Sequence, residues 1–409
     1  MEDYAEWCDE HLPDLYNPGL FDDEETTDDV WEAVHTVANK TILAYIDDEV
    51  ERETVTDALM DVAADWFRAH RDMEIDALEA LTPDELQMVL GRPQTSQHSS
   101  DWYNQRRNRL TASEFSNILC GSRQRLLLSK LDTSAGERSM QAPVAIAQSD
   151  GEMVATSWGH RFEPIVRAIY ELEIAGVDTV CDTLGRFTHQ EHPWLSASPD
   201  GIVMKGALAG RLLEIKAPKT RQPDTYVPHD YYVQMQVQME VCDLEAVDFV
   251  EAQFGQLPII LGAEDAGEQQ ELYAEAAAAA EGMNWKGWLA VYGLMEDPST
   301  WVYSYSKPVE DLRDARLPGA PGLPLLERTV WWLKGWFPRT VLRNRSWWAE
   351  TGWPAAELFW TQVVSARAQN VVTTNEVTTN EVTTNEVTEH EVTEHEIEEA
   401  TISYWKGSA

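Results

Sequence analysis

The sequence is short of cysteine: Cys8, Cys120, Cys181 and Cys242 are the only four in 409 residues, and no C-x-x-C pair occurs. That pattern excludes a disulfide framework and a cysteine-ligated zinc site, and it suits a reducing compartment. Basic residues are also scarce, 31 against 71 acidic ones, for a formal charge of −40. A basic nucleic-acid coat protein is thereby excluded. No apolar run approaches the roughly 18 residues that a membrane-spanning helix needs. The first residues, Met1-Glu2-Asp3-Tyr4-Ala5-Glu6, are acidic and lack the apolar stretch of a secretory signal. The expectation is a soluble intracellular protein, of cytoplasm or nucleus, with no membrane contact. What is present is core material: 43% hydrophobic residues and 17 tryptophans, in a chain long enough for two to three domains.

The charge is uneven. Residues 1–100 carry a net −22, residues 101–260 only −6, and residues 261–409 the remaining −12. A nearly balanced middle can hold a local basic patch, and Arg106, Arg107, Arg109, Arg123, Arg125 and Lys130 cluster there. Lysine is scarce beside arginine, which fits a salt-adapted proteome or a GC-rich genome without choosing between them.

Residues 1–97 read as an acidic helical module. Apolar spacing over Thr54–Met60 and Val62–Ala69 is helical, and Thr82-Pro83-Asp84-Glu85 is a capping-box start for a helix to Leu90. The acidic run Phe21–Asp29 reads as a solvated loop, with a patch for a basic partner as the sharper alternative. Gly91–Ser100 reads as a linker. Residues 98–310 form the next block. Helical segments at Asp101–Arg107 and from Thr111 precede a variable stretch, Thr133–Gly151, and Ser157 caps a helix to Glu173. Strand-like runs follow at Thr183–His189, Leu195–Ala197, Gly201–Met204 and Arg211–Lys216, then a helix from Asp230 and a strand at Ala246–Gln253. A helix is expected within 268–291, around Ala276–Ala280, with strands at Trp288–Tyr292 and Trp301–Ser306. Residues 311–368 read as a Trp-rich helical extension, helical over 324–364. From 369 to 409 a Thr-Thr-Asn-Glu-Val repeat of period five fits no amphipathic helix and reads as a disordered tail.

The chemistry concentrates in Ser198-Pro199-Asp200-Gly201 and Leu213-Glu214-Ile215-Lys216. Asp200 stands at a Pro-Gly break between strand-like runs. Glu214 and Lys216, two apart on a strand, share a face, with Ile215 on the other. A hairpin would set Asp200 beside Glu214, and two carboxylates beside a lysine make an oxygen-ligand site for a hard cation such as Mg²⁺. Alone, E-x-K is most often an ordinary surface ion pair. Context counts against that. Glu163 lies upstream in Trp158-Gly159-His160-Arg161-Phe162-Glu163-Pro164, and on the following helix Gln234 and Gln238 fall between two apolar stripes. Amides held between apolar faces need partners, so they are expected to line a polar site.

Trp102-Tyr103-Asn104-Gln105-Arg106-Arg107, Leu110-Thr111-Ala112-Ser113-Glu114, Trp158-Gly159 with Glu163, Ser198-Pro199-Asp200-Gly201, Leu213-Glu214-Ile215-Lys216-Ala217-Pro218 and Tyr232-Val233-Gln234-Met235-Gln236 occur in that order. Together they resemble the phage lambda exonuclease / YqaJ viral recombinase family of the PD-(D/E)xK nucleases, over about Asp101–Gln253. A fainter echo continues through Val302–Ser306 and the Trp-rich segment, as in longer members from large DNA viruses. The resemblance implies an α/β restriction-endonuclease-like core, a mixed central sheet flanked by helices. It implies metal ligation by Asp200, Glu214 and the Ile215 carbonyl, with Glu163 as a further acidic ligand or acting through water. Lys216 would be the catalytic lysine and Gln234 a site-lining amide. Arg106 and Ser113, with Thr111 beside them, would grip a 5′-terminal phosphate, for which a bidentate guanidinium is suited; Arg107 and Arg109 are close rivals. The cofactor would be Mg²⁺, with Mn²⁺ substituting. The partners would be duplex DNA ends, a single-strand annealing protein, and further copies in a homo-oligomeric ring. The acidic first hundred residues and the repeat tail depart from the short phage pattern.

Other features invite less. His390 and His395 are five apart, so this is no H-E-x-x-H zinc helix. His189 and His192 read as loop residues, and Trp331, Trp332, Trp336, Trp347 and Trp348 as core. The leading function is a 5′→3′ exonuclease on duplex ends. An endonuclease on branched DNA is the alternative within the same chemistry. A non-catalytic acidic binding protein on a relic nuclease fold is the alternative from another class.

Overall fold

The computed structural model describes residues 2–16, 24–97, 99–131, 155–223, 226–259, 274–275, 277–295, 297–320 and 322–377. The stretch Thr133–Gly151 and the repeat tail beyond Val377 lie outside the described residues. Residues 1–363 form one unit and residues from Val364 a second, of which only the run to Val377 is described.

Three helices, α1 (Glu2–His11), α2 (Glu24–Thr41) and α3 (Glu49–Ala77), bury a core of their own around Trp7, Leu12, Val34, Leu59 and Phe67. Asp48 caps α3 by accepting from the Glu51 N–H at 2.9 Å, a contact of about 1 kcal/mol. The expected loop at Phe21–Asp29 is corrected in its described part, because Glu24–Asp29 open α2. Composition alone does not separate a helix start from a loop here. Helix α4 (Pro83–Leu90) starts from the expected capping box, with Thr82 and Glu85 bonded both ways.

The linker reading of Gly91–Ser100 is also corrected. Gln94–Thr95 form strand β1, and Ser99 caps α5 (Ser100–Gln105). Arg92 pins the segment by donating to the carbonyls of Val241, Cys242 and Thr188 at 2.7, 2.9 and 3.1 Å. The Pro and Ser that signal a linker here punctuate short elements instead.

Beyond it come β2 (Leu110–Thr111), α6 (Ser116–Leu119), α7 (Arg123–Leu131) and α8 (Ala155–Tyr170). Helix α8 starts at Ala155, so Ser157 lies inside it rather than capping it. Strands β3 (Val180–Cys181), β4 (Arg186–Thr188), β5 (Leu195–Ala197), β6 (Gly201–Val203) and β7 (Leu212–Lys216) lead to α9 (His229–Cys242). Then follow β8 (Ala246–Ile259), β9 (Lys286–Leu294), β10 (Asp297–Tyr305), β11 (Leu325–Leu342) and α10 (Trp353–Val377). The fold is mixed α/β. A seven-stranded sheet runs β10-β9-β11-β8-β7-β6-β3, antiparallel except where β7 meets β8, and a small sheet runs β1-β4-β5-β2.

Helix α9 covers one face of the large sheet, packing Val233, Val237 and Val241 with Leu212, Val247 and Phe249. Helix α8 belongs to the opposite core, with Phe162, Ile165 and Ile169 beside Leu213, Ile215 and Val250. The helical reading of 324–364 fails over Leu325–Leu342, which is strand β11 between β8 and β9. Val330, Trp331, Trp332 and Leu333 are all buried, Trp331 in the core shared with α8 and Val330 and Trp332 in a separate cluster with Trp288. A strand buried on both faces loses the alternation that marks a strand in sequence. Among the described residues no helix is long and apolar enough to cross a membrane.

Candidate active site

The β6–β7 hairpin pairs Gly201 with Leu213, which carries Asp200 to the start of the Glu214 strand. The Ile215 N–H donates to Asp200 Oδ2 at 2.8 Å, so Ile215 enters the site through its amide. Glu214 and Lys216 share the α9 side of β7, and Lys216 Nζ donates to Glu214 Oε1. From α9, Gln234 and Gln238 reach down one turn apart, their amides donating to Glu214 Oε1 and Oε2 at 2.6 Å each. Glu214 is thus buried with both oxygens engaged, which is what makes its burial tolerable. Glu163 comes from α8.

These side chains line one cavity of about 200 Å³ together with Arg106 and Thr111 from the α5–β2 segment and Ser113 from the turn after β2. The residues singled out from the sequence therefore converge, although they span 132 positions from Arg106 to Gln238. Arg107 and Arg109 do not line it; Arg109 is tied to Thr188 Oγ1 at 2.6 Å and the Pro193 carbonyl at 2.7 Å.

The cavity is electrically two-ended. At one end, burial and then the charges of Glu214 and Glu163 hold the Asp200 carboxyl well above the usual range. Burial also raises Glu163, against the pull of His160 and Arg167. Burial would lower Lys216, but Glu214 and Asp200 outweigh it and raise the ammonium's pKa. At the other end, Glu114 accepts from Lys130 Nζ at 2.8 Å, Thr111 Oγ1 at 2.6 Å and Arg106 Nη2 at 3.4 Å. Burial pushes Glu114 up, yet Lys130 and Arg106 prevail and hold it below the ordinary carboxylate range. Lys130 also donates to the Arg106 carbonyl at 2.8 Å, fixing the backbone that carries the guanidinium.

Sequence reasoning missed several residues here. Glu114 and Lys130 organise Arg106, Trp102 has both Arg106 and Arg186 over its ring, and His160 and Arg186 line the cavity. Lys130 stands in the basic cluster, and Trp102, Glu114 and His160 stand in the quoted motifs, but none of them drew a role there; Arg186 left no trace. Among the described residues, no group of three or more His, Cys, Asp and Glu side chains is gathered closely enough to hold a metal ion.

Residues 101–245 match the family model of the YqaJ-like viral recombinase domain, a span that contains every site residue named above. That match covers the middle third of the chain. A stretch of 187 residues is 27% identical to the uncharacterized protein R354 of Acanthamoeba polyphaga mimivirus, covering 41% of this chain and 31% of that one. The chain therefore spans under a third of that relative's length. Among solved structures, it is similar to the alkaline exonuclease LHK-Exo of Laribacter hongkongensis at 16% identity and a TM-score of 0.39, over 68% of this chain and 100% of that one. The same enzyme in complex with dAMP matches at 17% identity and a TM-score of 0.38, over the same shares.

Proposed function

We propose that this chain is a divalent-metal-dependent 5′→3′ exonuclease that degrades duplex DNA from ends bearing a 5′-phosphate, leaving single strands that an annealing protein can take up. One observation carries the proposal: a single cavity joins an acidic end at Asp200, Glu214 and Lys216 to a cationic end at Arg106. A terminal phosphate drawn to Arg106, Thr111 and Ser113 sets the register, and the first phosphodiester then falls toward the carboxylates.

The acidic end fits a hard cation by its donor chemistry, oxygen ligands from Asp200 and Glu214 whose mutual repulsion a cation relieves. Mg²⁺ or Mn²⁺ would supply Lewis-acid charge against the phosphoryl oxygens. Lys216 holds a proton and a positive charge beside the reacting group, where charge develops. Gln234 and Gln238 orient Glu214, and Glu163 adds a further carboxylate from α8. Activity requires that the cation share Glu214 with Lys216 and the two amides.

The test compares linear duplexes ending in 5′-phosphate or 5′-hydroxyl with closed circular DNA, with and without Mg²⁺. The expected result is fast, Mg²⁺-dependent digestion of phosphorylated ends, slow digestion of hydroxyl ends and intact circles. Cutting of circles as fast as phosphorylated ends would replace the exonuclease by an endonuclease. No hydrolysis with any divalent metal would leave a binding protein on a relic fold.

A further inference from the structure

Arg186 lies on β4, between Gly185 and Phe187, and is only 1% exposed. Its guanidinium sits 4.4 Å from the Trp102 ring centroid, and Nη1 donates to the Trp102 carbonyl at 2.7 Å. Its buried Nε has no hydrogen-bond partner. Among the described residues no carboxylate forms an ion pair with it. A guanidinium buried this way is costly unless something compensates its charge.

The neighbours deepen the deficit. Arg106 approaches the same indole, 5.5 Å from its centroid, so one tryptophan gathers two guanidiniums. Burial, and then the Arg106 charge, lower the Arg186 pKa to about 10. Glu114 is the carboxylate available at this end, and Lys130 and Arg106 already share it. Lys130, Arg106 and Arg186 thus bring three positive charges against one negative. Arg109 faces Arg186 as a further cation. Arg186 nevertheless lines the cavity beside Arg106 and Ser113.

An anion with two charges and several acceptor oxygens is the natural complement. A terminal phosphate monoester has both, whereas an internal diester carries a single charge and a terminal hydroxyl none. We infer that Arg186 is the second guanidinium of the terminal-phosphate pocket, and that with Arg106 it makes the pocket select a phosphate monoester over a hydroxyl end. The inference rests on the exonuclease reading above and assigns a specificity-determining residue to its cationic end. The alternative is a structural arginine that props Trp102 in place through its ring and carbonyl.

The experiment measures binding without turnover. A short fluorescent hairpin duplex with a recessed 5′-phosphate or 5′-hydroxyl is titrated in EDTA against wild-type protein, Arg186→Met and Arg186→Lys, each checked by thermal melting. Wild type should prefer the phosphate, and Arg186→Met should reduce that preference about tenfold, the worth of a charge-assisted hydrogen bond. The 5′-hydroxyl duplex should respond much less. If Arg186→Met does not fold, Arg186→Lys carries the test. It keeps the charge but cannot hold the Trp102 carbonyl and a phosphate together, so the preference should still fall about threefold. A folded variant with the full wild-type preference overturns the inference and leaves the exonuclease reading standing. Equal binding of both ends by wild type overturns the terminal-phosphate pocket itself, and the inference with it.

Discussion

The two ends of the cavity are built from the same physical problem and solve it oppositely. At the carboxylate end, burial and then neighbouring negative charge hold Asp200 above its ordinary pKa, and burial holds Glu163 above its own. At the guanidinium end, burial and then the neighbouring Arg106 charge hold Arg186 below its own. Each end stores like-charge repulsion that a ligand of opposite sign would release. The carboxylate end comes from one hairpin and the two helices α8 and α9, while the guanidinium end is assembled from α5, β2, α7 and β4. That difference predicts that chemistry and end recognition are separable by mutation.

The largest expected effect breaks the carboxylate end. Asp200→Ala or Glu214→Ala should cut Mg²⁺-dependent hydrolysis by about ten-thousandfold while sparing the preference for phosphorylated ends in a binding assay. Wild-type rates in either variant would remove the proposed site. Next, Arg106→Ala should slow digestion of 5′-phosphorylated ends by about a thousandfold through lost positioning. Hydroxyl ends should slow far less, so the preference disappears, while residual cleavage stays Mg²⁺-dependent. An unchanged ratio of the two rates would show that the ends of the cavity do not divide the work.

A smaller effect tests what holds the guanidinium end together. Lys130→Met removes the buried partner of Glu114 and the donor to the Arg106 carbonyl, and should cost about 3 kcal/mol in urea unfolding. A loss below about 1 kcal/mol would mean that Arg106 and Thr111 satisfy Glu114 by themselves. The smallest expected effect lies outside both ends. Deleting residues 378–409 should change unfolding free energy by less than about 0.5 kcal/mol and leave the nuclease rate unchanged, because a polar period-five repeat buries little. A marked drop in melting temperature on truncation would contradict that.

Much of the carboxylate end was legible because its residues are close in sequence. Asp200 and Glu214 are joined by one hairpin, Lys216 follows from strand alternation, and the paired glutamines of α9 stand out between apolar stripes. The guanidinium end was legible only in part. Arg106, Thr111 and Ser113 came from a motif, but Arg186 lies 80 positions from Arg106 in a three-residue strand with no pattern of its own. The misread elements share a cause. Strand β11 hides its alternation because both faces are buried, and Gln94–Thr95 looked like linker because a two-residue strand leaves almost no periodicity.

The sequence by itself determined the identities and local geometry: which carboxylates and which lysine share a strand face, which glutamines share a helix face, and where capping residues start helices. These follow from periods of 2 and 3.6 and from hydrogen bonds spanning three residues, which act within a few positions of the chain. Only the tertiary structure decided that Arg186 is buried beside Trp102 and Arg106, that Lys130 reaches back to Glu114, and that both ends open on one cavity. Those contacts depend on burial and on Coulomb terms between segments far apart in the chain, and neither quantity exists until the sheet and its two helices have closed around them.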